Sequence, residues 1–164
     1  MTRDKLNYRV SERACMNSEA INLELLIHKP PESVRAWWTD YPDDYHAKNP
    51  REQPYRIVTT RRFPNGREVR TYWRLPDGST PELQEVLNLK SDGSWTYELP
   101  YPNPMGIHVF DEFRAEPAPN GTRLIIHSTL TARDPAGTSR VSGLKEIITW
   151  TWKNAAEVCE HDAP

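Results

Sequence analysis

The sequence is short of glycine, of cysteine, of long apolar runs and of any excess of one charge. Each shortage excludes a class of function. Seven glycines in 164 residues is below the roughly 7% of average usage, and no two stand closer than six residues. The phosphate-cradling patterns GxGxxG and GxxxxGK need tighter spacing, so nucleotide loops of those kinds are excluded. Cys15 and Cys159 lie near opposite ends without CxxC spacing, so reduced, unpaired thiols are expected. No apolar run approaches the roughly 20 residues that span a bilayer, and the charged opening from Met1 to Asn17 lacks the apolar stretch of a secretory signal. Twenty-one Lys and Arg against twenty-three Asp and Glu leave a net charge of −2, without a domain-wide basic footprint for nucleic acid. The expectation is a cytoplasmic protein with no nucleic-acid partner and no integral membrane association.

Proline, by contrast, is abundant. Its fifteen copies are nearly twice the roughly 5% of average usage. Gly66, Gly78, Gly93, Gly106, Gly121 and Gly137 recur every 12 to 16 residues, and prolines bunch near the same places. Proline cannot donate to a central strand ladder, so the proline-free windows between these points are strand candidates. They are 55–62, 67–74, 83–90, 94–99, 107–115 and 122–131, most of them rich in β-branched or aromatic residues. Pro64-Asn65-Gly66, Pro76-Asp77-Gly78 and Ser91-Asp92-Gly93 are hairpin signals, and this half reads as an antiparallel meander. An earlier strand places Ile21, Leu23, Leu25 and Ile27 on one face. Pro30-Pro31-Glu32 then opens a short helix whose buried side is Val34, Trp37 and Trp38. From about Ser139 to His161, Val141, Leu144, Ile148, Trp152, Ala155 and Cys159 repeat at three-to-four spacing, the mark of a long amphipathic helix. Trp150 falls on the opposite side of it, where a loop, the N-terminal tail or another molecule would cover it.

One long helix must lay its stripe on one face of the sheet. The run from Ile21 to Asp40, the turn Asn120-Gly121-Thr122-Arg123-Leu124 and the final helix resemble the START-like, or Bet v 1-like (SRPBCC), helix-grip superfamily, nearest its bacterial polyketide cyclase/dehydrase-like branch. The resemblance covers about residues 19–161. It implies an α+β helix-grip fold: a seven-stranded curved antiparallel sheet wrapped around a long C-terminal helix, with one or two short helices after strand 1. Residues 1–18 would be an N-terminal extension and 19–164 a single domain. It further implies a cavity for a hydrophobic small molecule, without a metal or nucleotide cofactor. Members of the superfamily include lipid carriers, cyclases and chaperone-activating domains, so fold alone leaves catalysis, passive binding and protein interaction open. A protein partner or a homodimer stays among the readings.

Two acids interrupt apolar strand faces. Glu85 shares one with Leu83, Leu87 and Leu89, and Asp111 another with Ile107, Val109 and Phe113. A buried carboxyl must pair, protonate or meet solvent in a cavity. Protonation would suit general acid–base work, whereas a bulge or a pairing with Arg70 or Arg114 would make the acids structural. His108, His127 and Tyr72 would line the cavity only if the strand register slipped by one residue; otherwise they face solvent. In the geometry the resemblance implies, Trp37, Trp38, Tyr45, Tyr101, Met105 and Trp152 surround the cavity mouth. Tyr72, Trp95 and Tyr97 from the sheet, with Leu144 and Ile148 from the last helix, complete the expected ligand-binding set. Asp40, Asp43, Asp44 and His46 have metal-like residue types but no recognised spacing, and read as a solvated acidic loop. Arg61, Arg62, Arg67, Arg70 and Arg74 read as a solvated basic face.

Overall fold

Each proline-free window becomes a strand or a helix. The computed structural model describes residues 17–45 and 54–164, and its elements run β1 (Ser18–Ile27), α1 (Pro31–Thr39), β2 (Arg56–Phe63), β3 (Gly66–Tyr72), β4 (Glu82–Leu89), β5 (Trp95–Leu99), β6 (Ile107–Ala118), β7 (Gly121–Ala132) and α2 (Pro135–Asp162). The strands form one sheet in the order β1-β7-β6-β5-β4-β3-β2. The six-strand meander is unbroken, and the first strand pairs antiparallel with the last, Ser18 opposite Thr131 through to Ile27 opposite Thr122. This is the α+β, seven-stranded helix-grip arrangement that the sequence implies.

Apolar alternation sets the inner face. Ile21 and Ile27 are buried, and Leu23 and Leu25 pack half-buried against the core. In α1, Pro31 opens the helix, Glu32 sits in its first turn, and Val34, Trp37 and Trp38 are its buried residues. The stripe of α2 lies chiefly on β1 and β7 and touches β6 and α1. Its buried residues include Val141, Leu144, Ile148, Trp152, Ala155 and Cys159, while Trp150 is 62% exposed.

Three details depart from expectation. First, α2 begins four residues before Ser139. Asp134 caps it by accepting the Gly137 N–H at 3.0 Å, and Pro135 takes the first helical turn. Apolar periodicity could not reveal this turn, because its first bulky apolar residue is Val141. Here the chain passes very close to Gly106, which adopts a left-handed φ of +69°. A Cβ on Gly137 would lie 1.9 Å from the Gly106 carbonyl oxygen.

Second, β6 continues through Pro117 to Ala118. Its pairing with β5 ends at Phe113, so beyond that point it has a sheet neighbour on one side only and tolerates proline. Third, Arg67 is not part of a solvated basic face. It alternates inward with Val69 and Thr71 and is 1% exposed. Its Nη1 donates to the Tyr41 carbonyl (3.0 Å) and to Thr59 Oγ1 (2.9 Å), and its guanidinium lies 4.0 Å from the Tyr41 ring centroid. One backbone and one side-chain hydrogen bond and the Tyr41 ring hold this buried guanidinium, with Asp40 4.0 Å from Nη1, while Nε and Nη2 are buried without a hydrogen-bond partner among the described residues.

Candidate functional site

A cavity lies between the sheet and the middle of α2. From the sheet it is lined by Ile57, Thr71, Leu83, Glu85, Tyr97 and Asp111. Leu144, Ile148, Thr151 and Trp152 of α2 form the roof. Tyr41 and Tyr45, following α1, close one side with Trp73, and Met105 reaches in from the proline-rich loop. The cavity measures about 40 Å³ by the space a water molecule's centre can occupy. That exceeds the roughly 10–15 Å³ needed for one water but falls short of the roughly 300–1,000 Å³ of common small-molecule pockets. Aromatic rings take up much of the room.

Both acids enter this cavity. Glu85 and Asp111 are 8% and 2% exposed, and no bulge turns either outward in the β3–β4, β4–β5 or β5–β6 registers. Neither candidate arginine reaches them, since Arg70 pairs with Glu82 and Arg114 with Glu116. Glu85 Oε2 accepts from Thr71 Oγ1 at 2.8 Å and from the Tyr97 hydroxyl at 3.4 Å. The network extends outward: Trp73 Nε1 donates to Thr71 Oγ1 (2.9 Å), and the Tyr41 hydroxyl donates to that of Tyr97 (3.2 Å). Burial pushes Glu85 up to about 7, opposed by those hydrogen bonds from Thr71 and Tyr97. Burial also raises both phenols, Tyr97 strongly, with the Glu85 charge adding to it. They remain donors at neutral pH.

Asp111 is less supported. Burial pushes it up to about 8, the Ser128 hydroxyl opposing the rise and the Glu85 charge adding to it. Ser128 is its cross-strand neighbour in β7, yet Ser128 Oγ and Asp111 Oδ1 are both buried without a hydrogen-bond partner among the described residues. Ser128 therefore acts by polar proximity, and Asp111 keeps an unspent oxygen. The indole N–H of Trp152 is likewise buried and unpartnered. The result is an apolar chamber with two acids poised between protonated and ionised states near neutral pH.

Of the expected ligand-binding residues, the cavity lining includes Tyr45, Tyr97, Met105, Leu144, Ile148 and Trp152. Trp38 and Trp95 instead fill solid core beside it. Trp95 stacks on Phe113 at 5.5 Å between centroids, and Trp38 packs against Phe113 and Trp152. Trp37 supports Tyr45 edge-on at 5.3 Å without lining the space. Tyr101 is 43% exposed, its hydroxyl 3.4 Å from Asp134 Oδ2.

The register does not slip, so His108, His127 and Tyr72 lie on the outer face. His108 Nε2 meets Glu98 at 2.8 Å, His127 Nδ1 meets Asn22 at 2.5 Å, and Tyr72 packs on Tyr55 and Arg56. Asp43 and Asp44 accept hydrogen bonds from Thr59 and Ile57 and so fasten their loop to β2. Asp40 pairs with Arg62, and His46 lies outside the described residues, as does Cys15. Cys159 is buried, and burial pushes its thiol up to about 12, too high for a nucleophile. Thr71, Trp73 and Tyr41 were absent from the expected set. The inward parity Val69, Thr71, Trp73 was a visible signal for two of them; nothing in the sequence ties Tyr41 to Tyr97.

Solved structures share this architecture. The two-domain aromatase/cyclase StfQ of the steffimycin biosynthetic pathway superposes with a TM-score of 0.71 at 15% identity, over 94% of this chain and 53% of that one. A START superfamily protein from Mycobacterium smegmatis gives 0.60 at 13%, over 89% and 96%. The ZhuI aromatase/cyclase from Streptomyces sp. R1128 gives 0.59 at 13%, over 88% and 90%. This chain spans about half the length of StfQ and nearly all of the other two. No protein-family model matches the sequence, and no curated protein matches it significantly. At this identity the likeness is one of fold: the chain has the START-like, Bet v 1-like (SRPBCC) helix-grip fold, in the form the aromatase/cyclases also adopt.

Proposed function

We propose that the cavity beneath α2 binds a small hydrophobic or aromatic molecule and that Glu85 and Asp111 serve it as acid and base. The observation that carries this reading is the placement of two carboxyls, both deeply buried and without a basic partner among the described residues, in the wall of an apolar chamber. Such groups cost stability wherever they ionise, and sites that move protons are where that cost is commonly found. Both carboxyls hold their protons well above the ordinary carboxyl range, so near neutral pH either can be present protonated as a donor or ionised as an acceptor. One could donate a proton to a carbonyl or hydroxyl while the other removes one from carbon, as cyclisation or dehydration requires. The fold shared with aromatase/cyclases agrees with this chemistry without requiring it. The small volume favours a compact ligand, or one that enters as Tyr45 and Trp152 swing aside.

Native mass spectrometry of protein purified gently from its host tests the reading. An adduct of small mass is expected, lost in a Leu144→Trp variant that fills the roof. Failure to find one, together with no thermal shift across panels of polyketides, sterols and lipids, would count against it. A second reading, a protein-interaction module with a vestigial cavity, draws on the exposure of Trp150. Trp150→Ser would then abolish capture of a partner while leaving ligand binding unchanged.

A further inference from the structure

Two carboxyls, several aromatic rings and not one basic side chain make up the described wall of the cavity. We infer that the ligand carries a compact organic cation, an ammonium or quaternary ammonium group, seated between Glu85 and Asp111 and walled by the rings of Tyr41, Tyr45, Tyr97, Trp73 and Trp152. This rests on the proposed ligand site and specifies the charge of its occupant; with a cation bound both carboxyls are ionised, so the pair then serves as ion partner and base and not as proton donor.

The geometry has two parts. The rings stand at steep angles to each other, Tyr41 to Tyr45 at 63° with centroids 4.9 Å apart and Tyr97 to Trp152 at 90° and 5.9 Å. Differently oriented rings around a small volume offer π-faces from several directions, the arrangement that holds quaternary ammonium groups. The acids supply the charge. Asp111 Oδ1 is buried and unpartnered among the described residues, so one acceptor is available without breaking any bond of the free protein. An anionic ligand would meet two acids and no counter-charge in the wall. A neutral one could offer the carboxyls hydrogen bonds but no counter-charge for their ionised forms.

The charged and titratable groups around the two acids are few. The sheet supplies the phenol of Tyr97, and the loop after α1 supplies those of Tyr41 and Tyr45. Ser128 of β7 is neutral, and α2 contributes only Leu144, Ile148, Thr151 and Trp152. Arg67 stacks on Tyr41 and is not itself a lining residue. A bound cation therefore favours the ionised form of both acids, and affinity rises as pH rises.

The test uses three soluble probes of similar shape: tetramethylammonium, tert-butanol and pivalate. Each is titrated into the whole protein by ¹H–¹⁵N NMR, with the indole N–H signals of Trp73 and Trp152 as cavity reporters. The charge of tetramethylammonium does not titrate, so any pH dependence belongs to the protein. Tetramethylammonium is expected to shift both indoles and to bind about tenfold more tightly than tert-butanol, with pivalate not binding. Its affinity should grow about tenfold or more from about pH 6 to about pH 9. Glu85→Gln and Asp111→Asn should each flatten that profile; the wild-type profile decides by itself if either variant fails to fold. Equal or tighter binding of tert-butanol or pivalate, or a pH-independent affinity for tetramethylammonium, would overturn the cation and leave the ligand site standing. If no probe moves the indoles the inference also fails, and the retained-ligand experiment separately decides the site.

Discussion

Glu85 and Asp111 control how the molecule responds to pH. The unfolded chain releases their protons near the ordinary values of 4.5 and 3.8, whereas the folded chain holds them to about 7 and about 8. Between those limits the folded state binds more protons, so stability falls as pH rises. Their contribution is complete below the ordinary values and is lost as pH climbs through about 7 for Glu85 and about 8 for Asp111. Glu85→Gln and Asp111→Asn should therefore melt at nearly the wild-type temperature below about pH 4 and progressively above it as pH rises to about 9, each gaining on the order of 2 kcal/mol or more there. Melting curves across pH check this, and parallel curves for wild type and variants would contradict it. Arg67 is the opposite case, a buried charge that holds structure together. Arg67→Ala removes two hydrogen bonds and the support of the Tyr41 ring. It should cost about 2–4 kcal/mol in urea unfolding.

At the scale of elements, α2 and its junction with the proline-rich loop place the cavity roof. Asp134 caps the helix while Gly106 and Gly137 let loop and helix touch. Two glycines of the same helix should consequently respond in opposite directions to alanine. Gly137→Ala forces a Cβ into the Gly106 carbonyl and should destabilise by about 2 kcal/mol or more. Gly143 has open space around it, so Gly143→Ala should stabilise by up to about 1 kcal/mol. Thermal or urea unfolding of both variants checks the contrast. Most of the element order was legible beforehand, because proline and glycine mark the joints and strand alternation or helical spacing fills the windows between them. The first turn of α2 was not, since a cap and a close glycine contact leave no apolar period. Nor was Pro117 inside β6, because where a neighbouring strand stops is a property of the sheet.

For the molecule as a whole, the sheet and helix enclose a core that is solid at one end and hollow at the other. Trp38, Trp95 and Phe113 pack the solid end; Glu85, Asp111 and the tyrosines border the hollow one. That division is why the aromatic residues could not be sorted from sequence alone. Trp95 and Tyr97 sit two apart on the same face of one strand, yet Trp95 stacks in the core on Phe113 while Tyr97 lines the cavity. The acids were more legible, since a carboxyl on an apolar strand face is conspicuous wherever it lies. Among the described residues no helix is long and apolar enough to cross a membrane.

The central claim is that this cavity keeps two acids within reach of both protonation states at neutral pH. Carboxyl ¹³C NMR titration, with Glu85 and Asp111 assigned through their Gln and Asn variants, measures that directly. Midpoints near 7 for Glu85 and near 8 for Asp111 are predicted. Two midpoints near the ordinary carboxyl values, at roughly 4, would mean a hydrated, structurally idle pair, and would contradict the account.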